Sequence, residues 1–174
     1  MKGFSAKILC RAGVIAALYV ALTYAFMPFA YGPLQIRPAE ALCILPLFFA
    51  EAIPALYVGC MLANILGGYG VADIFIGSAI TLVAAVGTRY LGGLLKKGWA
   101  KMCVGGIFPV LLNATLLPFI FLFMSTAGDA PSATLYFVYF GELFLTQTVW
   151  VYGLGAPMYA SLSKLRQKGF TPFL

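Results

Sequence analysis

The feature that most constrains this chain is a succession of long apolar segments separated by short polar interruptions. Six read as helices, at about 6–29, 37–50, 53–67, 71–95, 103–126 and 133–163. A helix needs about 20 apolar residues to cross a bilayer core. Four of the six meet that length, while the second and third are short and turn about Glu51-Ala52-Ile53-Pro54. Only 9% of residues are charged, against roughly a quarter in a soluble domain. The fold class expected is an all-α integral membrane protein, a bundle of six transmembrane helices forming a single transmembrane domain over residues 1–174. The opening run, residues 1–30, carries an apolar stretch longer than the 7–15 residues or so of a signal peptide core, and is expected to be the first span.

Basic residues near membrane ends set orientation. Six spans place both termini and the fourth-to-fifth connection on one side. Lys2, Lys7, Arg11, Arg89, Lys96, Lys97, Lys101, Lys164, Arg166 and Lys168 all fall there, ten of the 11 Lys and Arg. That side is expected to be cytoplasmic, in a multi-pass protein of the cell membrane. The exception is Arg37, in the stretch YGPLQIRPAEALCILPLFF (residues 31–49). Proline disfavours helix in the residue before it, so Pro33 and Pro38 imply an extended run over Leu34–Arg37. Pro38 suits the first turn of a new helix. Arg37 then stands at the mouth of that helix and Glu40 in its first turn, where the helix dipole favours a carboxylate. Three residues apart, the two are spaced to pair.

Other polar residues fall in the same outer half: Asn64 at the end of the third segment, Asp73 at the start of the fourth, Asn113 within the fifth, and Glu142 and Gln147 in the sixth. An ionised group costs roughly 2.5–3.5 kcal/mol in lipid on insertion scales. The economical arrangement is one shared polar cavity open to the outside, with isolated interhelical hydrogen bonds as the alternative. On the first segment Ala17, Ala21 and Ala25 repeat every four residues, with Ala12 and Ala16 on a neighbouring stripe. Small residues at this spacing admit a second helix closely, either within the bundle or from a partner subunit. The four cysteines (Cys10, Cys43, Cys60, Cys103) lack CxxC spacing and are expected to be buried apolar side chains. There is no histidine, no G-x-x-x-x-G-K-[ST] phosphate loop and no metal-ligand motif. No catalytic set is expected, and no metal site.

The runs GPLQIRPAEALCILPLFF, AIPALYVGCMLANILGG and GVADIFIGSAITLVAA resemble the QueT-type family of queuosine-precursor transporters, substrate-binding S components of energy-coupling factor (ECF) transporters. The likeness is clearest over residues 12–95. It implies a chain that is not an enzyme and needs no cofactor of its own, since two partner ATPases consume the ATP. It also implies a transmembrane T component docked on Ala17, Ala21 and Ala25, a small-molecule 7-deazaguanine ligand, no nucleic-acid partner, and a substrate region that includes Arg37 and Glu40. A 7-deazaguanine offers two adjacent donors that one carboxylate can accept in a bidentate pair, and Glu142 is the first candidate. Asn113 and Gln147 carry donors and acceptors for the other edges, Asp73 or Glu40 would neutralise a 7-aminomethyl cation, Tyr139 and Tyr69 supply ring faces, and Asn64 is counted with them as a substrate-binding candidate. Rival readings are an S component for thiamin or biotin, a membrane enzyme acting on lipids, and an assembly subunit without a transport ligand.

Overall fold

A computed structural model describes residues 5–31, 34–68, 70–95, 98–123 and 132–169. Every regular element among them is helical. In chain order these are α1 (Ala6–Ala25), the single turn α2 (Met27–Ala30), a 3₁₀ helix (Pro38–Leu47), α3 (Ala52–Gly67), a π turn (Asp73–Gly77) leading into α4 (Ser78–Gly93), α5 (Gly98–Phe123) and α6 (Ala133–Thr148). A π segment (Val149–Leu154) joins α6 without a break to α7 (Gly155–Gln167).

Three helical stretches are long and apolar enough to cross a membrane: Ala6–Ala25, Asp73–Gly93 and Gly98–Leu122. The second segment is not the expected α-helix. Its ten residues form a 3₁₀ helix, and all ten are buried. At about 2.0 Å per residue it reaches about 20 Å, whereas the same residues as α-helix would reach about 15 Å. Runs of 3₁₀ beyond three or four residues are uncommon. This one is held from outside, because α1, α3, α4, α5, the π segment and α7 all pack against it. Burial on every side explains why PAEALCILPL shows no amphipathic period: a helix apolar all round has no solvent face to mark.

The helices around this spindle meet through small residues. The buried positions of α3 are Ala52, Ala55, Leu56, Gly59, Cys60, Ala63 and Asn64, the i, i+3, i+4, i+7 stripe of a helix with one buried face. At Gly59 an added Cβ would stand 3.0 Å from Tyr19 Cβ and 3.1 Å from the Ala16 carbonyl, so glycine sets how closely α1 and α3 approach. Thr88 donates to the Gly105 carbonyl at 2.8 Å, fixing the register of α4 on α5.

On α1 the buried residues are Ile15, Tyr19 and Thr23. Ala17, Ala21 and Ala25 lie two residues out of step, about 200° round the helix, and all three are exposed. The internal contact falls to Ala12 and Ala16, which pack against the core. Of the cysteines, Cys43 and Cys60 are buried as expected, but Cys10 and Cys103 are exposed on the outside of the bundle. In an apolar chain hydropathy does not separate a side chain facing a neighbouring helix from one facing lipid.

Candidate functional site

The polar residues singled out in the sequence gather at one end of the bundle, but not in one chamber. They form a sealed cluster, a strap, and an open pocket.

The sealed cluster is built around Glu40, which is 2% exposed. Tyr19 Oη donates to Glu40 Oε1 at 2.7 Å. Asn113 Nδ2 donates to Glu40 Oε2 at 3.3 Å, and Cys43 Sγ approaches the same oxygen at 3.4 Å. Asn113 Nδ2 also donates to Gln147 Oε1 at 3.2 Å. Donors from α1, the 3₁₀ helix and α5 thus converge on one carboxylate. Neutral donors of this kind stabilise a buried anion, since a charge without hydrogen bonds is expensive to bury. Gln147 is completely buried and its Nε2 has no partner among the described residues.

The strap is centred on Arg37. The expected pairing with Glu40 does not form. Arg37 has extended φ and ψ, outside the 3₁₀ helix, so its side chain leaves in a different direction from that of Glu40. Arg37 Nε donates to the Ala30 carbonyl at 2.6 Å and a terminal nitrogen donates to Asn64 Oδ1 at 3.0 Å. The guanidinium lies 4.6 Å from the Tyr31 ring centroid. Asn64 in turn donates to the Asp73 backbone carbonyl at 2.7 Å, so Asp73 joins through its main chain; its half-buried carboxylate makes no hydrogen bond among the described residues. Tyr31 Oη donates to the Ala63 carbonyl at 2.5 Å, and the Ile36 amide donates to the Phe29 carbonyl at 2.8 Å. These contacts fasten the connection between α2 and the 3₁₀ helix onto the end of α3.

The open pocket has a volume of about 300 Å³ and is lined by Pro28, Phe29, Tyr31, Leu34, Ile36, Tyr139 and Glu142. Ligand pockets span roughly 300–1,000 Å³, so this one suits a small ligand. The strap forms one wall and α6 the other. Tyr139 and Glu142, three residues apart on α6, both line it. Glu142 is half-buried, and its carboxylate makes no hydrogen bond among the described residues. Gln147, about 140° round the helix from Glu142, turns away into the sealed cluster. Asn113 and Glu40 are in that cluster too, and Asn64 is in the strap. Tyr69 lies outside the described residues.

Sequence reasoning missed Tyr19, Tyr31 and Gln35. For Tyr19 a signal was available: it repeats with Ile15 and Thr23 at four-residue spacing, which puts a phenol on the face opposite the alanine stripe. Tyr31 and Gln35 carried no such mark. Gln35 takes φ 38°, a left-handed conformation costly for a residue other than glycine. It is buried, with its Oε1 unpartnered among the described residues, between the two pocket residues Leu34 and Ile36.

The aromatic-walled pocket with its one carboxylate thus sits in a bundle of which three helical stretches are long and apolar enough to cross a membrane, the architecture of a membrane protein. Residues 9–164 match the family described as the QueT transporter, and the chain belongs to that family. Over 72 residues it is 39% identical to the queuosine precursor transporter QueT of Lactococcus lactis subsp. cremoris (strain MG1363). That match covers 40% of this chain and 42% of the relative, so the chain spans less than half the length of the curated relative it matches. No solved structure matches.

Proposed function

We propose that this protein is the substrate-binding S component of an ECF-type importer and takes up a queuosine precursor, a 7-deazaguanine base, from the outside of the cell. The observation that carries this reading is the pocket between the strap and α6. Its ring-bearing residues, Phe29, Tyr31 and Tyr139, suit a flat heterocycle, and its one charged group is the unpaired carboxylate of Glu142. A carboxylate only accepts hydrogen bonds, so it complements the adjacent N1–H and 2-amino donors of a guanine edge.

In this reading six helical segments cross the membrane, the 3₁₀ helix being the short second one, and both termini are cytoplasmic. Arg37 and Asn64 hold the pocket wall through the strap. Asp73, outside the pocket lining and under the charge of Arg37, would neutralise a 7-aminomethyl cation only where that group reaches past the strap. Glu40, Asn113 and Gln147, in their own sealed cluster, do not line the pocket and instead tie the 3₁₀ helix to α5 and α6. The exposed face of Ala17, Ala21 and Ala25 receives a T component, and two cytoplasmic ATPases supply the energy. The family membership and the relative's name favour a queuosine precursor over other heterocycles.

Binding of queuine, 7-aminomethyl-7-deazaguanine and 7-cyano-7-deazaguanine to the purified protein tests the assignment. Saturable binding to at least one is expected. Glu142→Gln places an amide donor against a ligand donor and costs about 2 kcal/mol or more, roughly 30-fold in Kd. Absence of saturable binding to all three would refute the ligand class, and unchanged affinity in Glu142→Gln would refute the role of the carboxylate.

A further inference from the structure

The opposite end of the bundle carries a feature that the transport site does not use. Arg89 on α4, Lys101 on α5 and Arg166 on α7 belong to three different helices, and the charges of Arg166 and Arg89 both act on Lys101. The packing sets the start of α5 against the end of α4 and against α7, with Arg166 further along α7. An added Cβ at Gly92, one turn beyond Thr88, would stand 3.2 Å from the Lys101 carbonyl, and the Tyr159 ring of α7 lies 6.4 Å from Trp99 at the start of α5. Arg89 is half-buried and reaches inward, donating to the Pro46 carbonyl at 3.0 Å. That bond fixes the guanidinium while leaving further N–H donors. The one side-chain carboxylate at this end among the described residues is Glu51, and it pairs with Arg11. Three like charges, with Arg89 and Lys101 partly buried and Arg166 exposed, therefore act on one another with no acidic partner among the described residues. Such an arrangement repels itself unless an anion joins it.

The surroundings say which anion. Arg89 lies just inside the end of one stretch long and apolar enough to cross a membrane and Lys101 just inside the start of the next, so that in a bilayer both would stand near the headgroups. Around them Tyr90, Leu94 and Trp99 are 69%, 76% and 62% exposed, the amphipathic and apolar belt expected where headgroups meet chains. Basic pockets between helices at this level suit anionic headgroups.

We propose that Arg89, Lys101 and Arg166 form a binding site for the phosphate of an anionic phospholipid. The site is independent of the ligand assigned above and requires only that the bundle sits in a membrane.

The test is native mass spectrometry of the full chain in detergent, titrated with phosphatidylglycerol, cardiolipin or phosphatidylcholine. The wild type is expected to retain the two anionic lipids and not phosphatidylcholine. Near a membrane surface each basic residue contributes about 1 kcal/mol, roughly fivefold in affinity. The double variant Lys101→Gln/Arg166→Gln should therefore bind anionic lipid about 25-fold more weakly. Lys101→Arg should keep the affinity, which separates loss of charge from loss of fold. A charge-matched control, Lys7→Gln/Lys164→Gln, should change binding less than about threefold. Equal retention of phosphatidylcholine, wild-type affinity in the Lys101→Gln/Arg166→Gln variant, or an equal loss in the control would each overturn the site. Displacement of lipid by millimolar inorganic phosphate would overturn it as a lipid site and make it a free-phosphate site.

Discussion

Replacing Glu40 separates a buried anchor from an ordinary polar contact. In Glu40→Leu the Tyr19 hydroxyl loses its acceptor at 2.7 Å and the Asn113 amide loses one at 3.3 Å. Each is buried, and a buried donor without a partner costs about 1–3 kcal/mol. The cysteine thiol is a weak donor and adds little. The sum is about 2–6 kcal/mol, centred near 4. For a chain of this length about 1 kcal/mol moves Tm by about 2–4 °C, so Glu40→Leu should lower Tm by about 8–16 °C. Glu40→Gln should be far milder, for a geometric reason. Tyr19 can still donate to the new amide's oxygen. Its nitrogen meets Asn113, which can turn its carbonyl inward, and Gln147 can turn with it, presenting the Nε2 that has no partner in the wild type. One concerted flip of two amides restores every bond but the weak Cys43 contact and the charge assistance, a loss of about 1–2 kcal/mol. The assay is thermal unfolding of purified protein in one detergent, without ligand. If Glu40→Gln falls as far as Glu40→Leu, or Glu40→Leu stays within about 2 °C of wild type, the hydrogen-bond account of this cluster is wrong.

Three further outcomes follow from other contacts. Gly59→Leu pushes a side chain into the Tyr19 Cβ and the Ala16 carbonyl; overpacking costs about 1–3 kcal/mol, and a Tm equal to wild type would show that α1 and α3 do not depend on that approach. Gln35→Gly removes a left-handed side chain at φ 38° and an unpartnered buried oxygen, so Tm should rise by a few degrees, about 1 kcal/mol; a fall would mean that the Gln35 side chain holds the strap. Ala21→Trp fills the exposed face of α1 and should abolish copurification of a T component while leaving 7-deazaguanine affinity within about twofold; retained copurification would remove this face from the docking surface.

Segment positions were legible from hydropathy because an apolar chain has few ways to place its charges. The six stretches correspond to α1 and α2, the 3₁₀ helix, α3, the π turn with α4, α5, and the continuous run from α6 to α7. Pro38 marked the start of the second element, and Glu51 with Pro54 marked the turn into α3. What the sequence could not fix was the type of the second helix. Ten buried residues satisfy 3₁₀ and α-helix equally well in pattern, and the choice came from six surrounding elements pressing on it. The partners of the polar residues were likewise hidden. Arg37 and Glu40 are neighbours on the chain, yet one is drawn to Asn64 and the other to Tyr19 and Asn113, because an extended residue followed by a helix sends consecutive polar groups to different sides. Glu142 and Gln147 part for the converse reason, since one regular helix turns five residues through about 140°. Residue type and spacing determined where this chain is apolar, where it turns and which residues bear charge; only the packing of the bundle decided which of those charges are sealed inside, which are tied to a neighbouring helix, and which line an open pocket.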